Sequence, residues 1–241
     1  MSLSGGNHLV SNVVDAWSRI LNSEEKSKGP TSVHRFFFST VQFVILCTDK
    51  GVPGSIKYSD RHNAFFEMIS YELREAKVDS LQNYYLVFFP VVYAAHFCLF
   101  VINHFTGKID VIDNKALDKG VKVHSKYKGF AKALVKAYYL YMKRESPNCL
   151  NDISVYASRH LKLKWKDSTN NDDCGVFLLK HMESYFGQDE AKWDIGVRKN
   201  KVDQLKNFRI EYCWKILSNS RNKEVAGVNE KALKWKNEQL K

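Results

Sequence analysis

The sequence has few of the residues that interrupt regular structure. Its 241 residues include only 12 Gly and 4 Pro, so no segment has the composition of a low-complexity linker. The longest apolar runs, such as 84–95, are far shorter than the ~20 residues that a membrane helix needs. The N-terminal segment 1–11 lacks the basic and apolar stretches of a secretory signal. We therefore expect a soluble, intracellular protein that does not bind membranes.

The cysteines do not form the patterns typical of disulfide frameworks or zinc sites. Their number is odd, their spacings are wide, and neither a CxxC pair nor a Cys/His cluster with zinc spacing is present. The five are Cys47, Cys98, Cys149, Cys174 and Cys213. This usage indicates a reducing compartment, and we expect no bound metal and no cofactor.

Positive charge is in excess, with a net charge of +11. A basic protein can meet nucleic acid, an anionic membrane or an acidic protein partner. The charge is spread along the chain rather than held in one Lys/Arg block, which is typical of a solvated surface. No nucleic-acid motif accompanies it, so nucleic acid is the weaker alternative. Apolar residues make up 44% of the chain, enough for a sizeable packed core, and its length fits one large domain or two small ones.

Periodic apolar residues predict the main elements. Helical spacing occurs in five segments, 8–22, 61–75, 127–143, 174–185 and 201–218. Runs with β propensity predict strands at 85–92, 97–103, 108–113 and 153–165. Segment 36–47 is apolar and β-branched, and its pattern leaves strand and helix both open. Loops are expected at 23–32 and 49–59, and the last ~20 residues are polar and expected to fray.

The segment 172–177, Asp-Asp-Cys-Gly-Val-Phe, has the features of a nucleophile site. A polar loop leads into Cys174 at the start of a predicted helix. The positive end of the helix dipole lowers the pKa of a thiol there and increases the thiolate fraction. Gly175 leaves room for a substrate backbone, and free backbone N–H groups can hold an oxyanion. A buried structural cysteine is the alternative, and we favour it for Cys47, Cys98 and Cys213.

A thiolate nucleophile needs a base, and the base needs a group that orients it. His96 begins one predicted strand and Asp113 ends the next. Thr106-Gly107 between them suits a tight hairpin turn, which would make His96 and Asp113 neighbours. The rival base, His181, lies seven residues after Cys174 on the same helix, about 10 Å away, too far for a hydrogen bond.

These residues resemble the ubiquitin-like-protein-specific protease family, which contains the SUMO proteases and is related to the adenovirus protease. The resemblance rests on His96-Phe97, then Asp113, then the Asp-Cys-Gly-Val-Phe motif at 173–177. It covers roughly 85–190, and the stretch 170–185 is similar to plant, transposon-associated members.

The resemblance implies an α+β papain-like fold of the adenain/SUMO-protease type, with a central mixed sheet and flanking helices. It implies Cys174 as nucleophile, His96 as base and Asp113 as orienting group. The substrate would be the Gly-Gly tail of a ubiquitin-like modifier such as SUMO, or its conjugates. We expect a monomer in the nucleus or cytoplasm. The expected division is a helical extension at 1–30, a catalytic domain at 31–220 and a polar tail at 221–241.

Two positions depart from the family pattern. Phe97 stands where members have Trp, which helps roof the tunnel for the Gly-Gly tail. Ser168 stands where members place Gln as an oxyanion donor, and Asn170 or Asn171 is a candidate substitute. Loss of one such donor costs about 10²–10³ in rate in other enzymes. The alternative function is therefore a protease-like domain that binds a modifier but cleaves it weakly or not at all.

Overall fold

The computed structural model describes residues 8–29, 31–47, 60–147, 152–170, 172–198 and 202–239. Five strands form one mixed sheet in the order β1-β2-β3-β4-β5. They are β1 (Arg35–Phe37), β2 (Leu86–Tyr93), β3 (His96–Asn103), β4 (Lys108–Ile112) and β5 (Ala157–His160). The central strand β3 pairs antiparallel with β2 and with β4, and the two edge strands β1 and β5 pair in parallel with their neighbours. The predicted hairpin of the second and third central strands is confirmed.

Helices occupy most of the remaining described chain. They are α1 (Ser11–Glu25), α2 (Val41–Cys47), α3 (Arg61–Glu75), α4 (Val123–Lys126), α5 (Phe130–Glu145), α6 (Cys174–Ser184), α7 (Val202–Leu217) and α8 (Val225–Gln239). The helix predicted at 61–75 is confirmed to the residue. Segment 36–47, whose pattern leaves strand and helix both open, contains the end of β1 and the whole of α2.

Three expectations from the sequence are wrong in detail. The strand predicted at 153–165 consists of a 3₁₀ turn, Ile153–Val155, and the four residues of β5. The helix predicted at 127–143 starts at Phe130, because Lys128 and Gly129 both have positive φ, which interrupts the helix. The C-terminal segment forms α8 instead of fraying. The loop predicted at 49–59 lies outside the described residues.

Helices cover both faces of the sheet and create two hydrophobic cores. Successive side chains of β3 alternate between them: Cys98, Phe100 and Ile102 face the core shared with α2, α3 and α5. Phe97, Leu99 and Val101 face the core shared with α1, α6 and α7. Burial on both faces explains why the central strands are nearly continuous apolar runs. In the described ranges, no helix is long and apolar enough to cross a membrane.

Candidate active site

A tight turn between β2 and β3 presents His96 at one end of the central strands. Tyr93 pairs with His96, so the turn consists of Ala94 and Ala95 alone. Both have positive φ, 48° and 58°, a conformation that costs a residue with a Cβ atom roughly 1–2 kcal/mol. Local strain of this kind is found at functional sites. The carbonyl oxygen of Ala95 lies 4.0 Å from Sγ of Cys174, so the turn brings β3 to the thiol.

Asp113 follows β4 directly and is fully buried. Its Oδ1 lies 2.7 Å from Nε2 of His96 and also accepts the backbone N–H of Lys115 at 2.8 Å. Continuing the strand register places Asp113 opposite Cys98 rather than His96, so the imidazole reaches diagonally to the carboxylate. The two side chains are neighbours, as the hairpin predicts, although they are not direct cross-strand partners.

The second oxygen of Asp113 has two further donors. Lys126 donates from Nζ at 2.9 Å, and the hydroxyl of Tyr127 donates at 2.6 Å. Burial would raise the pKa of this carboxyl, but its hydrogen bond to His96 and the charges of His96 and Lys126 hold the pKa well below the usual range. Asp113 is therefore a carboxylate whose two oxygens are both held by donors.

Cys174 is the first residue of α6, is 2% exposed and forms no disulfide with another described residue. Burial alone would raise the pKa of the thiol. The interaction with His96 and the backbone N–H groups of Phe97 and Gly175 outweigh burial, so the pKa lies below the usual value. The start of a helix favours the thiolate in the same direction. The site thus favours the nucleophilic form of this cysteine.

The His96 imidazole lies between the carboxylate and the thiol. Burial lowers its pKa, but hydrogen bonding to Asp113 and Cys174 and their negative charges raise the pKa to about 9. Nε2 is engaged by Asp113, which leaves Nδ1 to face the thiol. Nδ1 is buried, so the interaction of His96 with Cys174 is shielded from water. The pair favours an imidazolium beside a thiolate.

A second polar cluster fixes the loop that leads into Cys174. The buried guanidinium of Arg209, on α7, donates to Oδ1 of Asp173 at 2.7 Å and to the carbonyl oxygen of Asp172 at 2.8 Å. Asn170 donates from its amide to Oδ2 of Asp173 at 2.9 Å and accepts the backbone N–H of Asp173 at 2.9 Å. Asp173, the residue before Cys174, is therefore held from two sides.

The oxyanion candidates have other partners in this structure. The amide N–H₂ of Asn170 donates to Asp173, and Oγ of Ser168, which is exposed, accepts the backbone N–H of Ala116 at 3.3 Å. Asn171 lies outside the described residues. The backbone N–H groups at the start of α6 remain as oxyanion donors that need no side chain.

The two predicted substrate-binding residues are packed against the protein itself. Phe97 is 4% exposed and lies in the core under α6. A Cβ atom on Gly175 would lie 2.7 Å from Cβ of Leu9, a distance that side chains do not tolerate. Gly175 is therefore required by the packing of the segment before α1. A role for either residue in substrate binding stays a prediction.

Sequence reasoning missed four residues that support the site, namely Leu9, Lys126, Tyr127 and Arg209. Lys126 and Tyr127 follow Asp113 by 13 and 14 residues and belong to no recognisable motif. Arg209 belongs to a helix that the sequence predicts from its apolar positions alone. The one sequence signal for Arg209 is its place on the apolar side of that predicted helix. Because an arginine is rarely buried without a partner, this place indicates a buried ion pair.

His181, which the sequence places too far from Cys174 to act as its base, is a buried structural residue. It is buried, its Nε2 accepts the indole N–H of Trp165 at 2.9 Å, and burial lowers its pKa to about 3. It is a neutral acceptor in the core. Over the part of the chain that the structure describes, no group of three or more His, Cys, Asp or Glu side chains could hold a metal ion.

Comparisons with known proteins identify the fold. No protein-family model matches the sequence, and no curated protein matches it significantly. Among solved structures, the chain is similar to the SUMO protease Ulp1 with its catalytic cysteine oxidised to a sulfenic acid. The TM-score is 0.59 and the identity 13%, over 90% of this chain and 80% of that one.

Two further structures have the same architecture. The C-terminal Ulp1 protease domain in complex with Smt3, the yeast orthologue of SUMO, gives a TM-score of 0.58 at 14% identity, over 90% of this chain and 80% of the other. The Ulp1-like SUMO protease catalytic domain of Chaetomium thermophilum gives 0.52 at 17% identity, over 88% and 73%. The resemblance seen in the sequence is confirmed at the level of the fold. The chain has the α+β fold of the catalytic domains of Ulp1-like SUMO proteases.

Proposed function

We propose that the chain is a cysteine peptidase or isopeptidase that cleaves after the Gly-Gly tail of a ubiquitin-like modifier such as SUMO. Cys174 is the nucleophile, His96 the general base and acid, and Asp113 the group that orients His96. One observation carries the proposal: the imidazole of His96 lies between a fully buried carboxylate, 2.7 Å away, and the thiol of a cysteine at the start of a helix. Nucleophile, base and orienting group in this order are the parts of a thiol protease site.

The reaction follows from the charges of the resting pair. The Cys174 thiolate attacks the carbonyl carbon of the last glycine, and the carbonyl electron pair moves onto the oxygen. Backbone N–H groups at the start of α6 stabilise that oxyanion. When the carbon–nitrogen bond breaks, the imidazolium of His96 gives its proton to the leaving amine. A thioester to Cys174 remains.

Hydrolysis of the thioester reverses the role of His96. The neutral imidazole takes a proton from water as the water oxygen attacks the thioester carbon. The carbon–sulfur bond then breaks, and the free carboxylate of the modifier leaves with the thiolate restored. Asp113 keeps the imidazole in one orientation and stabilises its charged form in both halves of the reaction. Its own low pKa keeps it ionised throughout.

The choice of substrate rests on resemblance and on fold. A protease domain of this fold has been solved in complex with Smt3, and the motif at 173–177 resembles the same family. A ubiquitin-like modifier and its conjugates are therefore the proposed partners, and the proposed location is the nucleus or cytoplasm.

A second candidate function is a protease-like domain that binds a modifier with little or no cleavage. Three observations favour it. Ser168 replaces the usual glutamine donor, the Asn170 amide is engaged by Asp173, and Phe97 is buried. The Ser168→Gln variant separates the two candidates. A rate increase of up to about 10² identifies an active enzyme that lacks one oxyanion donor, with Ser168→Ala as the control for loss of the hydroxyl.

Covalent trapping tests the main proposal. A panel of ubiquitin-like proteins carrying a C-terminal vinyl sulfone or aldehyde is mixed with wild type and with Cys174→Ser, and intact masses are measured. We expect a mass increase of one modifier in wild type alone, which would also identify the modifier. Binding of a modifier without any mass shift would contradict the enzyme and support the binding domain.

A further inference from the structure

Two side chains outside the proposed triad hold the oxygen of Asp113 that His96 does not use. Lys126 ends α4, and Tyr127 follows it before the turn at Gly129, where φ is +73°. Both donate to Oδ2 of Asp113, whereas His96 faces Oδ1. The two oxygens of the carboxylate are thus divided between the imidazole on one side and this pair on the other.

We propose that Lys126 and Tyr127 are positioning residues, which fix the plane of the Asp113 carboxylate and, through the charge of Lys126, set the pH range in which the His96–Cys174 pair is reactive. The inference deepens the proposed function and rests on it.

Tyr127 acts by geometry. Its ring is 6% exposed and packs edge-on against Phe100 with centroids 5.2 Å apart. The packing of the ring therefore fixes the position of the hydroxyl relative to Asp113. Burial is the larger cause that raises the pKa of this phenol far above its ordinary value, and the Asp113 carboxylate raises it further. Tyr127 is thus a neutral donor near neutral pH.

Lys126 acts by geometry and by charge. Its ammonium also contacts the carbonyl oxygens of Lys115 at 3.5 Å and Ala116 at 3.3 Å, so it ties the segment after Asp113 to the carboxylate. The contacts through Asp113 place Nζ within about 8 Å of Nε2 of His96. At that separation a cation disfavours the imidazolium, and it favours the thiolate, which lies beyond the imidazole, to a smaller degree. Lys126 therefore lowers the pKa of both members of the pair.

Other titratable groups act on the same pair or on Asp113 and must be kept unchanged in the test. They are Cys98 on β3, His160 at the end of β5, Lys166 in the loop that follows, and His181 on α6. Burial lowers the pKa of His160 to about 4, so it is neutral over the range of interest. Cys98 has a pKa raised by burial and stays protonated.

Alkylation of Cys174 by iodoacetamide as a function of pH tests this without any substrate. Mass spectrometry of the peptide containing Cys174 separates its rate from those of the other cysteines. For Lys126→Met we expect the midpoint of the rate profile to rise by about one pH unit. Lys126→Arg should restore it. Lys122→Met is the matched control, since it removes the same charge from an exposed position in the same segment, and it should leave the midpoint unchanged.

Tyr127→Phe isolates the geometric part, because it removes a donor without changing charge. We expect kcat for a modifier precursor to fall about tenfold, the effect of losing one hydrogen bond to a charged group, with KM unchanged. The alkylation midpoint should move less than in Lys126→Met. Thermal unfolding of each variant verifies that it is folded at the assay temperature.

The outcomes separate the inference from the function on which it rests. Identical alkylation profiles for wild type, Lys126→Met and Lys122→Met would overturn the role of Lys126. An unchanged kcat in Tyr127→Phe would overturn that of Tyr127. A wild-type midpoint at the ordinary thiol pKa of about 8.5 would instead contradict the proposed nucleophile itself.

Discussion

Replacement of Gly175 by alanine distinguishes two roles for the residue that follows Cys174. The sequence suggests that glycine leaves room for substrate, whereas the structure shows Leu9 in contact with it. The new Cβ would lie 2.7 Å from Cβ of Leu9. Because that Leu9 atom is adjacent to the backbone, no rotamer change relieves the clash, and the segment before α1 must move.

The magnitude follows from two opposing effects. Overpacking in a close-packed core costs about 1–3 kcal/mol. Alanine gains up to about 1 kcal/mol over glycine within a helix, and less at its first turn. We therefore expect Gly175→Ala to lose about 2 kcal/mol of unfolding free energy. For a chain of this length that corresponds to a fall of about 4–8 °C in melting temperature.

Urea denaturation of a double-mutant cycle measures the effect. Leu9→Gly removes the clashing atom at the cost of a buried side chain, so the double variant should be more stable than the sum of the single effects predicts, by about the cost of the clash. Equal or greater stability of Gly175→Ala relative to wild type would refute the packing argument. A loss of kcat/KM without loss of stability would favour the substrate role.

Two other predictions concern the polar contacts of the site. Arg209→Met should lower the unfolding free energy by about 3 kcal/mol, because the Asp173 carboxylate loses its buried cation. Lys206→Met is the control on the same helix, since its ion pair is exposed, and equal losses in the two variants would contradict the anchoring role. His96 has a pKa raised to about 9 from 6.5, so the stability that its charged form contributes is complete below pH 6.5 and is lost as the pH rises through about 9. Denaturation of wild type and His96→Gln across this range measures the difference between their unfolding free energies. We expect that difference to shrink by up to about 3 kcal/mol as the pH rises. A difference independent of pH would show that the fold does not stabilise the imidazolium.

Local sequence signals predict the elements whose apolar residues recur with a clear helical or strand period. The helix at 61–75 carries Phe65 and Ile69 on one face, and its apolar period predicts both of its ends correctly. The hairpin was recognisable from the Thr106-Gly107 turn, which made the neighbourhood of His96 and Asp113 predictable. These signals come from residues close together in the sequence, so the elements they predict depend little on tertiary contacts.

The failures occur where tertiary contacts decide. Segment 36–47 is mostly apolar, and both β1 and most of the described α2 side chains are buried. Its apolar pattern therefore does not distinguish a strand from a helix. The run at 153–165 leaves the sheet after Leu161, whose backbone N–H still donates to Val111 of β4. The side chains of Leu163 and Trp165 then pack into the core beside α6. The anchors of Asp113 and Asp173 come from α4 and its following turn and from α7, and neither contact leaves a pattern in the sequence.

The separation of the site residues along the chain has a consequence for folding. His96 and Asp113 are 17 residues apart within one hairpin, a contact that can form early at a small entropic cost. Cys174 lies much further along the chain and joins them only after α6 has packed on the finished sheet. A nascent or partly folded chain therefore carries an ordinary thiol of ordinary reactivity. Under the proposed function, the reactive thiolate therefore forms only together with the native state.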